Sequence, residues 1–93
     1  MRKAEYKVAG GKLIRVQLVK KETMIEKVKI TGDFFLHPEE LIEDLEKALV
    51  GQALNMSNLD EFIGAFIKRR GATLLCASPE DFAKCITMAA EKE

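Results

Sequence analysis

The sequence predicts an α+β fold: a three-stranded antiparallel sheet followed by three helices packed on one of its faces. Three observations carry this. Apolar residues alternate with a period of two in the first third of the chain and recur at helical spacing from residue 38 onward. Turn signals separate the alternating runs, and helix start and stop signals bracket the later ones. The two kinds of segment do not interleave, so sheet and helices form separate layers. At 93 residues the whole chain, 1–93, reads as a single domain able to bury a modest core.

In AEYKVA, residues 4–9, Tyr6 and Val8 oppose Glu5 and Lys7. Gly10-Gly11 follows as a hairpin turn, since glycine adopts positive φ without steric cost. In KLIRVQLVK, residues 12–20, Ile14, Val16 and Leu18 share one face and Arg15 and Gln17 the other. KKE, residues 20–22, closes a second hairpin. In MIEKVKIT, residues 24–31, Met24, Val28 and Ile30 are expected inside, Lys27 and Lys29 outside, with Glu26 breaking the apolar row. That closure sets Arg15 opposite Lys27, a mildly unfavourable pairing of like charges.

The first helix carries Leu41, Ile42, Leu45 and Leu49 on one stripe, with Pro38 at its first position, Glu39 and Glu40 at its positive end, and Gly51 after its end. Ser57 is expected to cap the second, whose stripe is Leu59, Phe62, Ile63, Phe66 and Ile67. Lys68, Arg69 and Arg70 occupy its last turn and Gly71 ends it. Ser78-Pro79-Glu80-Asp81 starts the third, which turns Phe82, Ile86, Ala89 and Ala90 inward. ATLLCA, residues 72–77, fits either a loop or a short extended piece.

Net charge is zero but unevenly spread. Residues 1–30 hold nine Lys/Arg and three Asp/Glu, a balance of +6; residues 31–93 hold six and twelve, a balance of −6. A general nucleic-acid binder would be basic throughout; this pattern suits one basic face presented to a specific partner. Lys7, Arg15, Lys27 and Lys29 are expected on the sheet face away from the helices. No apolar run reaches the roughly 18 residues of a membrane span, and no apolar stretch follows the basic N-terminus, so the expected location is the cytoplasm.

No catalytic constellation is visible. His37 is the only histidine and has no nucleophile–base set around it. Cys76 and Cys85 match no metal-ligand spacing, and both are expected to be buried. GGK, residues 10–12, lacks the spacing of a phosphate loop and joins two strands rather than a strand and a helix. In KITGDFFLHPEE, residues 29–40, Asp33 and His37 lie four apart, but the spacing describes a corner. Gly32 lets the chain turn, Phe34 or Phe35 plugs the gap between layers, and Pro38 starts a helix. Asp33 and His37 remain as polar groups on a rigid connection.

KVAGGKLIRVQL followed by VKITGDFFLHPEELIEDLEKALVG resembles the small accessory domain of lipoate–protein ligases, which is either the C-terminal domain of one chain or a separate subunit beside a larger catalytic one. The resemblance runs through nearly the whole chain and is weak at its ends and at residues 52–58. It implies a fold similar to sulfur-transfer scaffolds of the SufE/NifU type. It also implies a heterodimer with a large catalytic subunit that uses ATP, Mg²⁺ and lipoate to make lipoyl-AMP and then modifies a lysine of lipoyl carrier domains. The catalytic pocket would lie on the large chain, leaving this one with no catalytic residue, metal or cofactor of its own. By position, Lys7, Gly10, Gly11 and Lys12 are the candidates for contact near the nucleotide, and Arg15, Lys27, Lys29, Asp33 and His37 for the partner interface. The competing class is a protein-interaction module that only stabilises an enzyme. A sulfur scaffold would need an exposed, activated cysteine.

Overall fold

A computed structural model describes residues 2–10 and 12–91. The elements run β1 (Arg2–Lys7), β2 (Leu13–Lys21), β3 (Met24–Gly32), β4 (Phe35–His37), α1 (Leu41–Leu49), α2 (Met56–Arg70), β5 (Thr73–Leu75) and α3 (Pro79–Glu91). The first three strands form an antiparallel sheet with β2 in the centre; β4 and β5 pair as a separate antiparallel ribbon. The fold is therefore the α+β arrangement the periodicity predicts, with one addition. The ambiguous stretch 72–77 supplies β5, whose partner lies in the corner before α1.

The second hairpin differs from expectation in two ways. Its tip is Glu22-Thr23, with Lys21 facing Met24, and Glu22 takes a positive φ of 56°. Beyond it, Val19 faces Lys27 while Lys20 faces Ile25, so Glu26 is an extra residue in β3. A bulge of this kind inverts the alternation on its far side. Val28 and Ile30 point inward as expected, but past the bulge it is Ile25 that is buried and Met24 that is exposed. Later tip and extra residue together carry Arg15 from Lys27 to Thr31, so the predicted like-charge pair does not form.

One apolar core joins the inner face of the sheet to all three helices. Ile14, Val16, Leu18, Ile25 and Ile30 meet Leu45 and Leu49 of α1, Leu59 and Ile63 of α2, and Phe82, Cys85 and Ile86 of α3. Each such aliphatic or aromatic side chain contributes roughly 1.5–3 kcal/mol by leaving water. Among the described residues no polar or charged residue is buried. The Cys85 thiol reaches the carbonyls of Ala4 and Ile14 at 3.6 Å, tying α3 to the two strands above it. Cys76 is exposed, contrary to expectation, at a positive φ of 71° just after β5.

The helix boundaries follow local chemistry. Pro38 does not begin α1; the His37–Pro38 bond is cis, and Pro38–Glu40 form a tight turn in which Leu41 N–H donates to the Pro38 carbonyl at 3.1 Å. Asn55, not Ser57, caps α2: its Oδ1 accepts from Asn58 N–H at 2.8 Å. Gly71 closes α2 in the left-handed region at φ 61°. Ser78 and Asp81 form a reciprocal cap at the start of α3, with Ser78 N–H donating to Asp81 Oδ2 at 2.9 Å and Asp81 N–H to Ser78 Oγ at 3.3 Å.

Candidate functional site

The β1–β2 hairpin ends in a turn closed by a 2.7 Å bond from Val8 N–H to the Lys12 carbonyl. Gly10 has a φ of 99°, and nothing lies within 4 Å of where a side chain on it would begin, so Gly10 faces open space. Lys7 and Lys12 are exposed on either side. Gly11 lies outside the described residues. The neighbouring corner is held against this turn: Asp33 N–H donates to the Leu13 carbonyl at 2.8 Å. A Cβ on Gly32 would meet that same carbonyl oxygen at 2.3 Å, so the close approach requires glycine. Lys7, Gly10, Lys12 and Asp33 thus gather at one end of the sheet. Exposed ammonium groups beside an open glycine turn form a surface that an anion can approach closely.

The other predicted basic residues do not form one patch. Arg15 Nε donates to Glu5 Oε2 at 2.7 Å, so its charge is matched on the sheet surface. Lys27 and Lys29 stand opposite Val19 and Gln17 and border an open groove of about 460 Å³ running toward α1. Glu43, Glu46 and Lys47 line its other wall, with Val28 and Val50 between. The groove is mixed in charge rather than basic.

Asp33 and His37 are not brought together. They stand at opposite ends of an extended stretch; His37 faces Thr73 across the ribbon, and both are exposed. Between them the two phenylalanines divide the work. Phe34 turns in and meets Phe82 edge-on, ring centroids 4.8 Å apart. Phe35 turns out and is 66% exposed, directly opposite Leu75 at 56%. Sequence reasoning missed this external apolar pair, because β5 had no clear signal. The adjacent phenylalanines carried a hint: in an extended chain, neighbours face opposite ways.

Among the described residues no three His, Cys, Asp or Glu side chains come together as a metal site, and no helix is long and apolar enough to cross a membrane. The described surface offers docking features and an open cationic turn rather than converging acid and base groups.

Comparison with known proteins gives a consistent answer. The family described as bacterial lipoate protein ligase C-terminus matches residues 2–86. A comparison with curated protein sequences gave no match. Among solved structures, the chain is similar to one from an archaeal lipoylation system of Thermoplasma acidophilum, studied as a bi-partite lipoate protein ligase and its E2 lipoyl domain. The two share 31% identity with a TM-score of 0.78, over 92% of this chain and 94% of the other.

Proposed function

The chain belongs to the lipoate protein ligase C-terminal family, and on that premise we propose that it acts as the accessory subunit of a two-part ligase, paired with a large catalytic chain in the cytoplasm. The observation that supports this most directly is the match over almost the full length of a chain from a bi-partite ligase.

In this reading the complex activates lipoate with ATP and Mg²⁺ to lipoyl-AMP, then transfers the lipoyl group to a lysine of a lipoyl carrier domain. Adenylation brings a carboxylate and a triphosphate together, and gains from excluded water and from fixed positive groups near the reacting phosphate. This chain, as one domain, closes over the large chain's pocket as a lid. Its β1–β2 hairpin is closed by the bond from Val8 N–H to the Lys12 carbonyl, and Gly10 in the turn faces open space. We assign Lys7, Gly10, Gly11 and Lys12 to the nucleotide side of that closure: backbone amides approach the phosphates, Lys12 adds charge, and Lys7 stands beside them. Asp33 sits beside them at the interface.

The test is reconstitution with the large ligase chain of the same organism. Lipoate-dependent ATP–pyrophosphate exchange should need both chains. Lys12→Ala should lower exchange about tenfold or more, within the range of one lost electrostatic contact at a reacting phosphate, while transfer from preformed lipoyl-adenylate is spared. Full exchange by the large chain alone would reduce this chain to a stabilising module. Unchanged exchange with Lys12→Ala would remove the turn from the nucleotide.

A further inference from the structure

The sheet has two edges, and only one of them is finished. In an antiparallel ladder, each strand's N–H and C=O groups point to alternate sides. Val8 N–H bonds the Lys12 carbonyl, and Leu13 turns its own carbonyl toward Asp33. With the register of Tyr6 on Ile14 and Ala4 on Val16, the even-numbered residues of β1 pair with β2. Lys3, Glu5 and Lys7 therefore direct their main-chain groups away from the sheet. Among the described residues no strand or backbone group meets them there. All three are exposed.

The edge carries its own selectivity. Glu5 is held by Arg15, leaving Lys3 and Lys7 unmatched by any ion pair among the described residues. On the inner side of the same edge, Lys84 Nζ lies 5.2 Å from the Tyr6 ring centroid. Three cations thus surround one open strand. Edge lysines deter indiscriminate pairing. A second β1 laid antiparallel about Glu5 would set Lys3 against Lys7 and Glu5 against itself, like against like. Shifting it by two residues would set Lys3 against a glutamate already engaged by Arg15. An incoming strand with acidic residues four apart would instead meet Lys3 and Lys7 with opposite charge while its main chain completed the ladder.

We propose that the open edge of β1 receives an extended acidic segment of the large ligase chain, which adds as a fourth strand with carboxylates opposite Lys3 and Lys7. The inference rests on the accessory-subunit reading above and names the surface by which the two chains join.

Amide hydrogen exchange read residue by residue on the ¹⁵N-labelled chain, alone and saturated with the large chain, tests it. The Lys3, Glu5 and Lys7 amides should exchange fast alone and at least about tenfold slower in the complex, while Ala4 and Tyr6, already in the ladder, are slow in both. Lys3→Glu with Lys7→Glu should weaken binding at least about tenfold and reduce its salt dependence. Lys3→Pro should weaken it more than Lys3→Ala, since proline removes only an outward N–H. Where a variant fails to fold, the exchange experiment on the unsubstituted chain decides. Binding with these amides still fast overturns the edge and leaves the accessory reading standing. Protection that appears in the chain alone and grows with concentration assigns the edge to a second copy and also overturns it. No binding at all overturns both.

Discussion

The closed edge of the sheet is β3, and it is closed without a strand. At one end Ile30 N–H donates to Glu46 Oε2 at 2.7 Å, so a helix carboxylate stands where a neighbouring carbonyl would be. At the other end residues 51–54 run alongside: Gly51 N–H donates to the Ile25 carbonyl at 2.8 Å, Ile25 N–H to the Gln52 carbonyl at 3.0 Å, and Leu54 N–H to the Thr23 carbonyl at 2.9 Å. The β1 edge has only charges on it. Both edges face the same hazard of unwanted pairing, and the fold answers one by satisfying the backbone and the other by guarding it. The contrast teaches where stability and where recognition reside: substitutions on the β3 side should cost folding, and those on the β1 side should cost partners.

The largest expected effect is at the end of β3. Gly32→Ala would set a Cβ 2.3 Å from the Leu13 carbonyl oxygen, at a φ of 151°. That oxygen belongs to the backbone and cannot swing away, so β3 must separate from β2. The expected cost is about 3 kcal/mol or more, a fall in Tm of roughly 12 °C or more, read by thermal unfolding. A loss below about 1 kcal/mol would mean that the corner and the closed edge are not rigidly joined.

Glu46→Ala comes next. It leaves the partly buried Ile30 N–H without its acceptor, at an expected cost of about 1.5–3 kcal/mol. Glu46→Gln should recover part of this, because an amide oxygen still accepts. Urea denaturation measures the cost, and faster exchange of the Ile30 amide locates it.

Most of the fold was legible because periodicity and punctuation are local. Ile14, Val16 and Leu18 announce a buried strand face by their spacing alone, and Ser78-Pro79-Glu80-Asp81 announces a helix start. What escaped depends on residues far apart in sequence. The bulge at Glu26 exchanges Ile25 for Met24 in the core, and nothing in MIEKVKIT chooses between those two phases until the tip of the hairpin is known. The Phe35–Leu75 pair joins segments forty positions apart. Of the candidate site, the turn around Gly10 follows from the hairpin signal, whereas its meeting with Asp33 needs the later tip and the bulge. The neutralisation of Arg15 by Glu5 was not legible either, since it needs the β1–β2 register.

Asn55→Ala tests how the covering segment is anchored. The Asn55 side chain caps α2, and Asn58 Nδ2 in the same turn donates to the Ala53 carbonyl at 3.0 Å, holding residues 51–54 against β3. Losing the cap should cost about 1 kcal/mol. Exchange at Ile25 and Leu54 should rise with it, while the β1 amides stay unchanged. A uniform rise across the sheet would show that the two edges unfold as one unit.

The smallest effect should come from Glu5→Gln, and it makes the sharpest control. Glu5 and Glu46 are the same residue type, each hydrogen-bonded at 2.7 Å, one to Arg15 and the other to a main-chain N–H. Distance alone would rank them equally. Environment does not: the Glu5–Arg15 side chains are 60% and 61% exposed, so water and salt screen their attraction, and either group can be solvated if the other is lost. Ile30 N–H, on a strand edge beside a helix, has no such recourse. Glu5→Gln should therefore cost between about 0.2 and 1 kcal/mol, shrinking further in high salt, against the larger, salt-tolerant loss from Glu46→Ala. Equal losses in the two variants would show that the β1 edge is as firmly closed as the β3 edge, and the distinction between a satisfied edge and a guarded one would fall.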